Sequence, residues 1–346
     1  MTHSRRPLLQ LAAGTLGLMA LIVSISAAPA QTPAEFYKGK TIELGISSTV
    51  GGGYDAHARM LARHMGQYVP GNPTIVPKNI EGAGGLRLAN LLYNTAPRDG
   101  TSLGIIYRAT AFEPLFGNKS AQFDATKFTW IGSASSEVSL CVSWHTSGVT
   151  NVDDMRAKEL VVAHSGAGGD AYQFSKVING VLGTRMRLVG GYRGGNEMLL
   201  AMERGEVGGR CGWSWSSMQA TRPEWIADSR VNLLMQLALS KHPELPNVPL
   251  VTDLAHTPEQ RSILKLVFAR QEIAYPFVAP PGVPSDRVEV LRAGFLKAMA
   301  DPELLADARK ARLEVMPLAG DAVQKLVTEL HATPAAMVQK VVETLQ

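Results

Sequence analysis

The sequence holds little of what catalysis, metal binding or nucleic-acid binding requires. Its 346 residues include only two cysteines, and of its eight histidines His57 and His64 lie seven apart on one predicted helix face, without further partners at metal-ligand spacing. Ser165 stands in AHSGAG, which is not the GxSxG turn of a hydrolase, and VGGGYD lacks the glycine spacing of a dinucleotide fingerprint. The net charge is only +4, without a lysine or arginine run. We therefore expect no catalysis, no cofactor, no metal and no nucleic-acid partner.

The first 30 residues have the pattern of a secretory signal peptide. Arg5 and Arg6 form a basic start, an apolar run follows, and Ala-Pro-Ala offers cleavage after Ala30. Residues 4–9 also resemble a twin-arginine signal, so both the general secretory and the twin-arginine route stay open. No later run is long and apolar enough to span a bilayer. We expect an exported, periplasmic protein.

The scarcity of cysteine leaves one possible disulfide. Cys141 and Cys211 lie 70 positions apart, and an oxidising compartment permits a bridge between them. Two buried free thiols are the alternative, because the sequence does not fix the distance between the two positions.

Beyond the signal, β-prone runs alternate with helical patterns, which predicts an α/β protein with largely parallel sheets. Two stretches interrupt the alternation: a long β-prone run at residues 128–144, and a strand leading into a proline turn at 274–284. We interpret both as hinge crossings between two lobes that enclose a ligand cleft. The predicted division is a signal peptide at 1–30, lobe 1 at 31–137 plus 273–346, and lobe 2 at 138–272.

Several helix features are also predictable. Asp55 and Ser285 stand where each would cap a helix, and Pro302 follows Asp301 at a helix start. Near the C-terminus, apolar residues at helical spacing predict a stripe that packs on lobe 1; they are Val323, Leu326, Val327 and Leu330.

The most distinctive pattern is a β-prone run that ends in a glycine cluster and is followed by a helix. It occurs at residues 41–55, 73–85, 160–170 and 187–197. Ligands of open α/β sheets bind beyond the carboxyl ends of the strands, where these loops would lie. Each loop is either a flexible turn or a nest of backbone N–H groups that binds an anion. Four such loops in two lobes favour capture of a small carboxylate.

Side chains near these loops extend that interpretation. Arg108, after the third strand, and Arg193, in the fourth glycine loop, can each grip a carboxylate through two hydrogen bonds, or form an ordinary salt bridge. Arg210 is a third candidate, unless it faces solvent. Aromatic residues near the loops either shape the ligand site or pack in the core; they are Tyr54, Tyr107, Phe112, Trp213 and Trp215.

Taken together, the ordered motifs resemble the Bug family, the extracytoplasmic solute receptors of tripartite tricarboxylate transporters. The resemblance covers nearly all of the chain beyond the signal, from FYKGKTIEL through GGGYDAHARM and NIEGAGGLRLAN to APRDGTSLG, GGYRGGNEMLLAMERGEV and YPFVAPPGVPSDRVEVLRAGF. It implies a type II periplasmic binding protein fold whose two lobes close on a ligand. It also implies integral membrane subunits as partners, and a monomer suits such a shuttle.

The resemblance assigns ligand contacts residue by residue. In the first lobe they are Gly52, Gly53, Tyr54, Asp55, Asn79, Ala83 and Gly84; in the second they are Ser165, Gly166, Ala167, Gly168, Tyr192 and Arg193. We add Arg108 from its position. The implied ligand is a di- or tricarboxylate or an aromatic acid.

The chain departs from the family pattern at two positions that bear on the ligand. Ala201 and Gly208 stand where many members carry Asp, which disfavours a ligand with an ammonium group and favours a plain carboxylate. A receptor that signals to a membrane kinase is an alternative function, and an exported enzyme is a further one, disfavoured by the missing nucleophile, metal and cofactor motifs.

Overall fold

The computed structural model describes residues 1–2, 31–48, 50–166, 169–192 and 194–345. The predicted signal peptide therefore falls almost wholly outside the described residues, as do Ala167, Gly168 and Arg193. Residues 33–346 form one compact unit. Within the described residues, no helix has both the length and the apolar character needed to cross a bilayer.

The first of two sheets has six strands in the order β11-β4-β10-β3-β1-β2. Its strands are β1 (Thr41–Ile46), β2 (Thr74–Asn79), β3 (Ser102–Ile105), β4 (Thr129–Ser133), β10 (Pro276–Ala279) and β11 (Leu318–Ala319). Strands β1, β2 and β3 pair in parallel, whereas β10 runs antiparallel to both β3 and β4.

The second sheet has five strands in the order β7-β6-β8-β5-β9. Its strands are β5 (Ser139–Trp144), β6 (Leu160–Ala163), β7 (Met186–Val189), β8 (Gly209–Ser214) and β9 (Val231–Leu237). Here β6 pairs in parallel with β7 and β8, and β5 runs antiparallel to β8 and β9. The expectation of largely parallel sheets was too simple, because β5 and β10 enter their sheets directly from a crossing and so run against their neighbours. A disulfide joins Cys141 on β5 to Cys211 on β8.

Helices cover both faces of the sheets. They are α1 (Pro33–Tyr37), α2 (Gly53–His64), α3 (Leu86–Asn94), α4 (Val152–Ala157), α5 (Asp170–Leu182), α6 (Gly195–Glu203), α7 (Trp215–Thr221), α8 (Pro223–Ala227), α9 (Pro258–Phe268), α10 (Ser285–Met299), α11 (Pro302–Ala311), α12 (Gly320–His331) and α13 (Ala335–Leu345). Each sheet has a buried apolar cluster on either face, which explains why its strands read as nearly continuous hydrophobic runs.

Helix starts follow the sequence only in part. Asp301 accepts a hydrogen bond from the Glu303 N–H and caps α11 ahead of Pro302, as predicted. Asp55 does not cap α2, because the helix already begins at Gly53 and the Asp55 carboxylate instead accepts from the N–H of Gly51. Ser285 is the first residue of α10, whose cap position is Pro284 and lacks a side-chain hydrogen bond.

Two chain segments cross side by side between the sheets. The segment after β4 bonds to the segment before β10: the Ala134 N–H donates to the Tyr275 carbonyl at 3.0 Å, and the Ala274 N–H to the Ser135 carbonyl at 3.1 Å. The first crossing lies inside the predicted range of residues 128–144. The second precedes most of the predicted 274–284, since residues 276–279 already form β10 in the first sheet.

The C-terminal helices divide between the two sheets. Val323 and Val327 of α12 are buried among residues of the first sheet, as their spacing predicts. Helix α13 instead contacts α5 and α9, and Val341 belongs to the apolar core of the second sheet. The part of residues 273–346 that forms α13, assigned to lobe 1 from the sequence, therefore packs against lobe 2.

Candidate functional site

A cleft of about 1030 Å³ lies beside the crossings, between the two sheets. The first sheet contributes the loops after β1, β2 and β3, with Gly53, Gly84 and Arg108 among the lining residues. The second contributes the loop after β6 and the end of β8, with Ser165 and Ser214. These are the carboxyl ends of strands, where open α/β sheets bind ligands.

Half of the predicted ligand contacts line this cleft. They are Gly52, Gly53, Tyr54, Ala83, Gly84, Arg108 and Ser165. Asp55, Asn79, Gly166 and Tyr192 are not among its lining residues. Ala167, Gly168 and Arg193 lie outside the described residues, so their predicted contacts stay predictions.

Asp55 and Asn79 hold the first glycine loop by hydrogen bonds and are not among the residues that line the cleft. Asn79 donates its side-chain amide to the Ser48 carbonyl at 2.8 Å and to Asp55 Oδ1 at 2.9 Å. Asp55 also accepts from Arg59 Nε at 2.9 Å and from the Gly51 N–H at 3.0 Å. Burial alone would raise the pKa of Asp55, but these hydrogen bonds and the Arg59 charge hold it below its usual value. The pair therefore fixes the loop.

The second glycine loop brings its backbone to the cleft through left-handed residues. Gly84 has φ of +63°, and a side chain added there would enter open space. Gly85 has φ of +90°, and its Cβ would lie 2.7 Å from a ring carbon of Tyr107. Only glycine satisfies both the conformation and the close approach at Gly85.

One wall of the cleft is aromatic. Tyr54 packs edge-on against Tyr107 and Tyr275, with ring centroids 4.7 and 5.1 Å away, and His57 stacks on Tyr275 at 3.7 Å. The Tyr54 hydroxyl accepts from the Arg108 N–H at 3.1 Å. Burial raises the pKa of both Tyr54 and Tyr275 above its ordinary value, so both phenols stay neutral and can act as hydrogen-bond donors.

The other aromatic candidates belong to the core. Phe112 and Trp213 are almost wholly buried in the apolar clusters. Trp215 is also buried, and its indole N–H donates to a Glu244 carboxylate oxygen at 2.8 Å. Their alternative role, packing, is the one that the structure shows.

Arg108 already holds a carboxylate of the chain itself. Its guanidinium makes two hydrogen bonds to Asp170 in the first turn of α5, the Nε one at 3.1 Å. The second oxygen of Asp170 lies 3.6 Å from Arg270. Burial alone would lower the pKa of Arg108 and raise that of Asp170. Because each charge stabilises the other, the pKa of Arg108 is instead raised and that of Asp170 is lowered. This ion pair ties the two lobes together across the cleft.

Arg210 lies apart from the lining residues, on β8 beside the start of α6. A Cβ added at Gly195 would lie 3.2 Å from its guanidinium, and its Nε lacks a hydrogen-bond partner among the residues that the structure describes. Burial lowers the pKa of Arg210 to about 10, while Asp170 acts in the opposite direction. It remains charged at neutral pH.

Sequence reasoning missed several polar residues of the cleft. Asp170, Glu137 and Tyr275 all line it, and so do three serines around the start of α7, Ser214, Ser216 and Ser217. Asp170 could have been found, because it ends the third glycine motif as Asp55 ends the first. Glu137 carries no local motif and reaches the cleft only through the crossing.

With this geometry, the chain has the fold of periplasmic solute-binding proteins. It is similar to the TctC solute-binding protein from Polaromonas (TM-score 0.67, 16% identity, 88% of this chain and 99% of that chain). It is also similar to the periplasmic binding protein BugD (TM-score 0.64, 18% identity, 88% and 98%). A third similar structure is R. palustris Rpa4515 with adipate (TM-score 0.63, 19% identity, 88% and 97%).

A sequence relative points the same way. The UPF0065 protein encoded in the tcbD-tcbE intergenic region of Pseudomonas sp. strain P51, a protein of the Bug type, is 25% identical over 294 residues. The match covers 83% of this chain and 82% of the relative. No family model matches the chain. The resemblance to the Bug and TctC proteins is thus confirmed, and the proteins it resembles are binding proteins rather than enzymes.

Proposed function

We propose that the protein is an exported receptor that captures a small carboxylate and delivers it to the membrane subunits of a tripartite tricarboxylate-type transporter. The observation that carries this proposal is the meeting of two glycine loops, at Gly52–Gly53 and Ala83–Gly84, on one cleft opposite Ser165. Loops from different strands of one sheet thus face the second sheet across a gap of ligand size.

The donors in this cleft suit oxygen anions. Gly53 opens the twelve-residue helix α2, and the first N–H groups of a helix lack intrahelical partners and carry its positive dipole end. Three hydroxyl-bearing residues, Ser165, Ser214 and Ser216, line the cleft from the other lobe. A carboxylate held between them would accept hydrogen bonds from both lobes and stabilise closure.

The similar proteins support this ligand class. One of the similar structures is named with adipate, a dicarboxylate. Adipate is therefore the first probe, and malate and benzoate extend the series to a hydroxy acid and an aromatic acid.

The proposal is tested on the chain that begins after Ala30. A bound acid should raise the melting temperature and reduce the radius of gyration, and Gly84→Val should abolish both responses by filling the open space at that position. Gly148→Val is the matched control, because Gly148 has a similar φ of +74° and open surroundings away from the cleft lining. Unchanged acid binding in Gly84→Val would refute the site.

A ligand that co-purifies with the protein, identified by mass spectrometry, would define the natural acid. Neighbouring genes for one large and one small integral membrane protein would support transport rather than signalling to a kinase.

A further inference from the structure

Glu137 lies at the base of the cleft on the first crossing. Its N–H donates to the Gln271 carbonyl on the second crossing at 2.8 Å, which fixes its backbone between the lobes. The residue is only 4% exposed, yet it lines the cleft. Any ligand that fills the cleft to its base contacts this carboxyl group.

The Glu137 carboxyl is poorly neutralised. The Ser216 hydroxyl donates to Glu137 Oε1 at 3.3 Å, and no Lys, Arg or His in the described part of the chain forms an ion pair with the carboxyl. Arg108 attracts it, but that guanidinium is bound to Asp170. Burying an ionised carboxylate without a cation costs roughly several kcal/mol, so such a group commonly takes up a proton instead.

Charged and polar groups from both sheets act on the Glu137 carboxyl. Burial raises the pKa of Glu137 to about 7; Arg108 opposes the shift, while Glu314 and Asp170 reinforce it. The Ser216 hydroxyl faces the carboxyl from α7, and Tyr275 faces it from the second crossing. The remaining charged or titratable lining residues are Tyr54, His57, Tyr107, Glu113 and Arg312.

We propose that Glu137 binds the ligand in its neutral form, by donating a hydrogen bond to a carboxylate oxygen, so that capture of the acid takes up a proton from solvent. The inference rests on the proposed function, because only an anionic ligand makes the ionised form of Glu137 repulsive. The proton joins one Glu137 carboxyl oxygen, and no other bond changes. Specificity follows, since an uncharged ligand gains much less from this donor.

The expected effect is a loss of affinity with rising pH. Below pH 7 the free receptor already holds the proton, whereas above pH 7 each bound acid must recruit one. If the complex stays protonated throughout, the dissociation constant should rise about eightfold from pH 6.5 to pH 8.0. The uptake should approach one proton per ligand at pH 8.0.

The experiment is calorimetric titration with adipate, malate and benzoate at pH 6.5 and 8.0, each in two buffers of different ionisation enthalpy. The Glu137→Gln variant keeps the size and offers an amide donor that does not titrate, so it should bind with little pH dependence. Glu329→Gln, on the exposed face of α12 beside Lys325, removes one acid far from the cleft and should keep the wild-type behaviour.

The outcomes separate this inference from the proposed function. Proton uptake in the wild type that is lost in Glu137→Gln supports it. The inference is overturned if the acid binds without proton uptake, if it binds with proton release, or if Glu137→Gln has the same pH dependence as the wild type. Each of these outcomes leaves carboxylate capture intact. Failure of all three acids to bind at either pH refutes the proposed function and this inference with it.

Discussion

Replacing Asp170 with Asn tests how strongly the ion pair holds the lobes together. The variant keeps the side-chain shape but removes the negative charge between Arg108 and Arg270. The side chains of Arg108, Asp170 and Arg270 are 13%, 21% and 2% exposed, so solvent screens the pair weakly. Removing one partner of a buried pair commonly costs about 3–5 kcal/mol, because the remaining charge stays buried.

We expect Asp170→Asn to lower the free energy of unfolding at pH 7 by about 3 kcal/mol. Because the pKa of Asp170 is below its ordinary value, its contribution is present above the unfolded pKa, near 4, and is lost as pH falls through the folded value. The difference between the variant and the wild type should therefore shrink on acidification below pH 4. Urea unfolding followed by tryptophan fluorescence measures both.

The control is Asp153→Asn, which breaks the pair with Arg156 on the surface. Asp153 is 91% exposed, and exposed pairs contribute about 0–1 kcal/mol. A loss in Asp170→Asn no larger than in this control would refute the reasoning, and so would a difference that persists unchanged below pH 3.

Three further predictions follow from the same structure. Glu137→Gln should be more stable than the wild type by up to about 3 kcal/mol at pH 8 and similar to it at pH 4. The reason is that the raised pKa of Glu137 in the folded protein costs the wild type stability as pH rises from about 4.5 to 7. Equal pH–stability curves from urea melts would contradict this. Reduction of the disulfide between Cys141 and Cys211, which closes a loop of separation 70, should lower the free energy of unfolding by about 4 kcal/mol; an unchanged urea midpoint in reductant would contradict it. Gly85→Ala should reduce both folding yield and acid binding, since its Cβ meets Tyr107; a normal melting curve would show that the loop adapts.

Much of the fold is predictable because its signals are local. The β-prone run predicted from residue 41 onward does form β1 (Thr41–Ile46), since an apolar run between turn residues defines the strand. The stripe through Val323 and Val327 places α12 for the same reason. The predicted start of α2, with Asp55 as its cap, was wrong. The helix begins at Gly53, two residues before Asp55. The Asp55 carboxylate instead accepts a hydrogen bond from the Gly51 N–H in the loop.

The glycine loops of the candidate site could be predicted from the sequence, but the arrangement of its charged side chains could not. Glycine loops can be recognised from local composition, and Gly53 and Gly84 do line one cleft. The partners of Arg108 and the position of Glu137 depend on contacts between residues 62 and more positions apart, which no local pattern encodes. Asn79, predicted as a ligand contact, is not among the lining residues and instead donates to Ser48 and Asp55.

In the proposed function, backbone and hydroxyl donors of this cleft bind a carboxylate. Its most direct test is calorimetric titration of the chain after Ala30 with adipate and with adipamide, the uncharged diamide of the same length. The proposed function predicts that the acid binds and drives closure, that the diamide does not bind measurably, and that Gly84→Val abolishes binding of the acid. Equal binding of acid and diamide would contradict it.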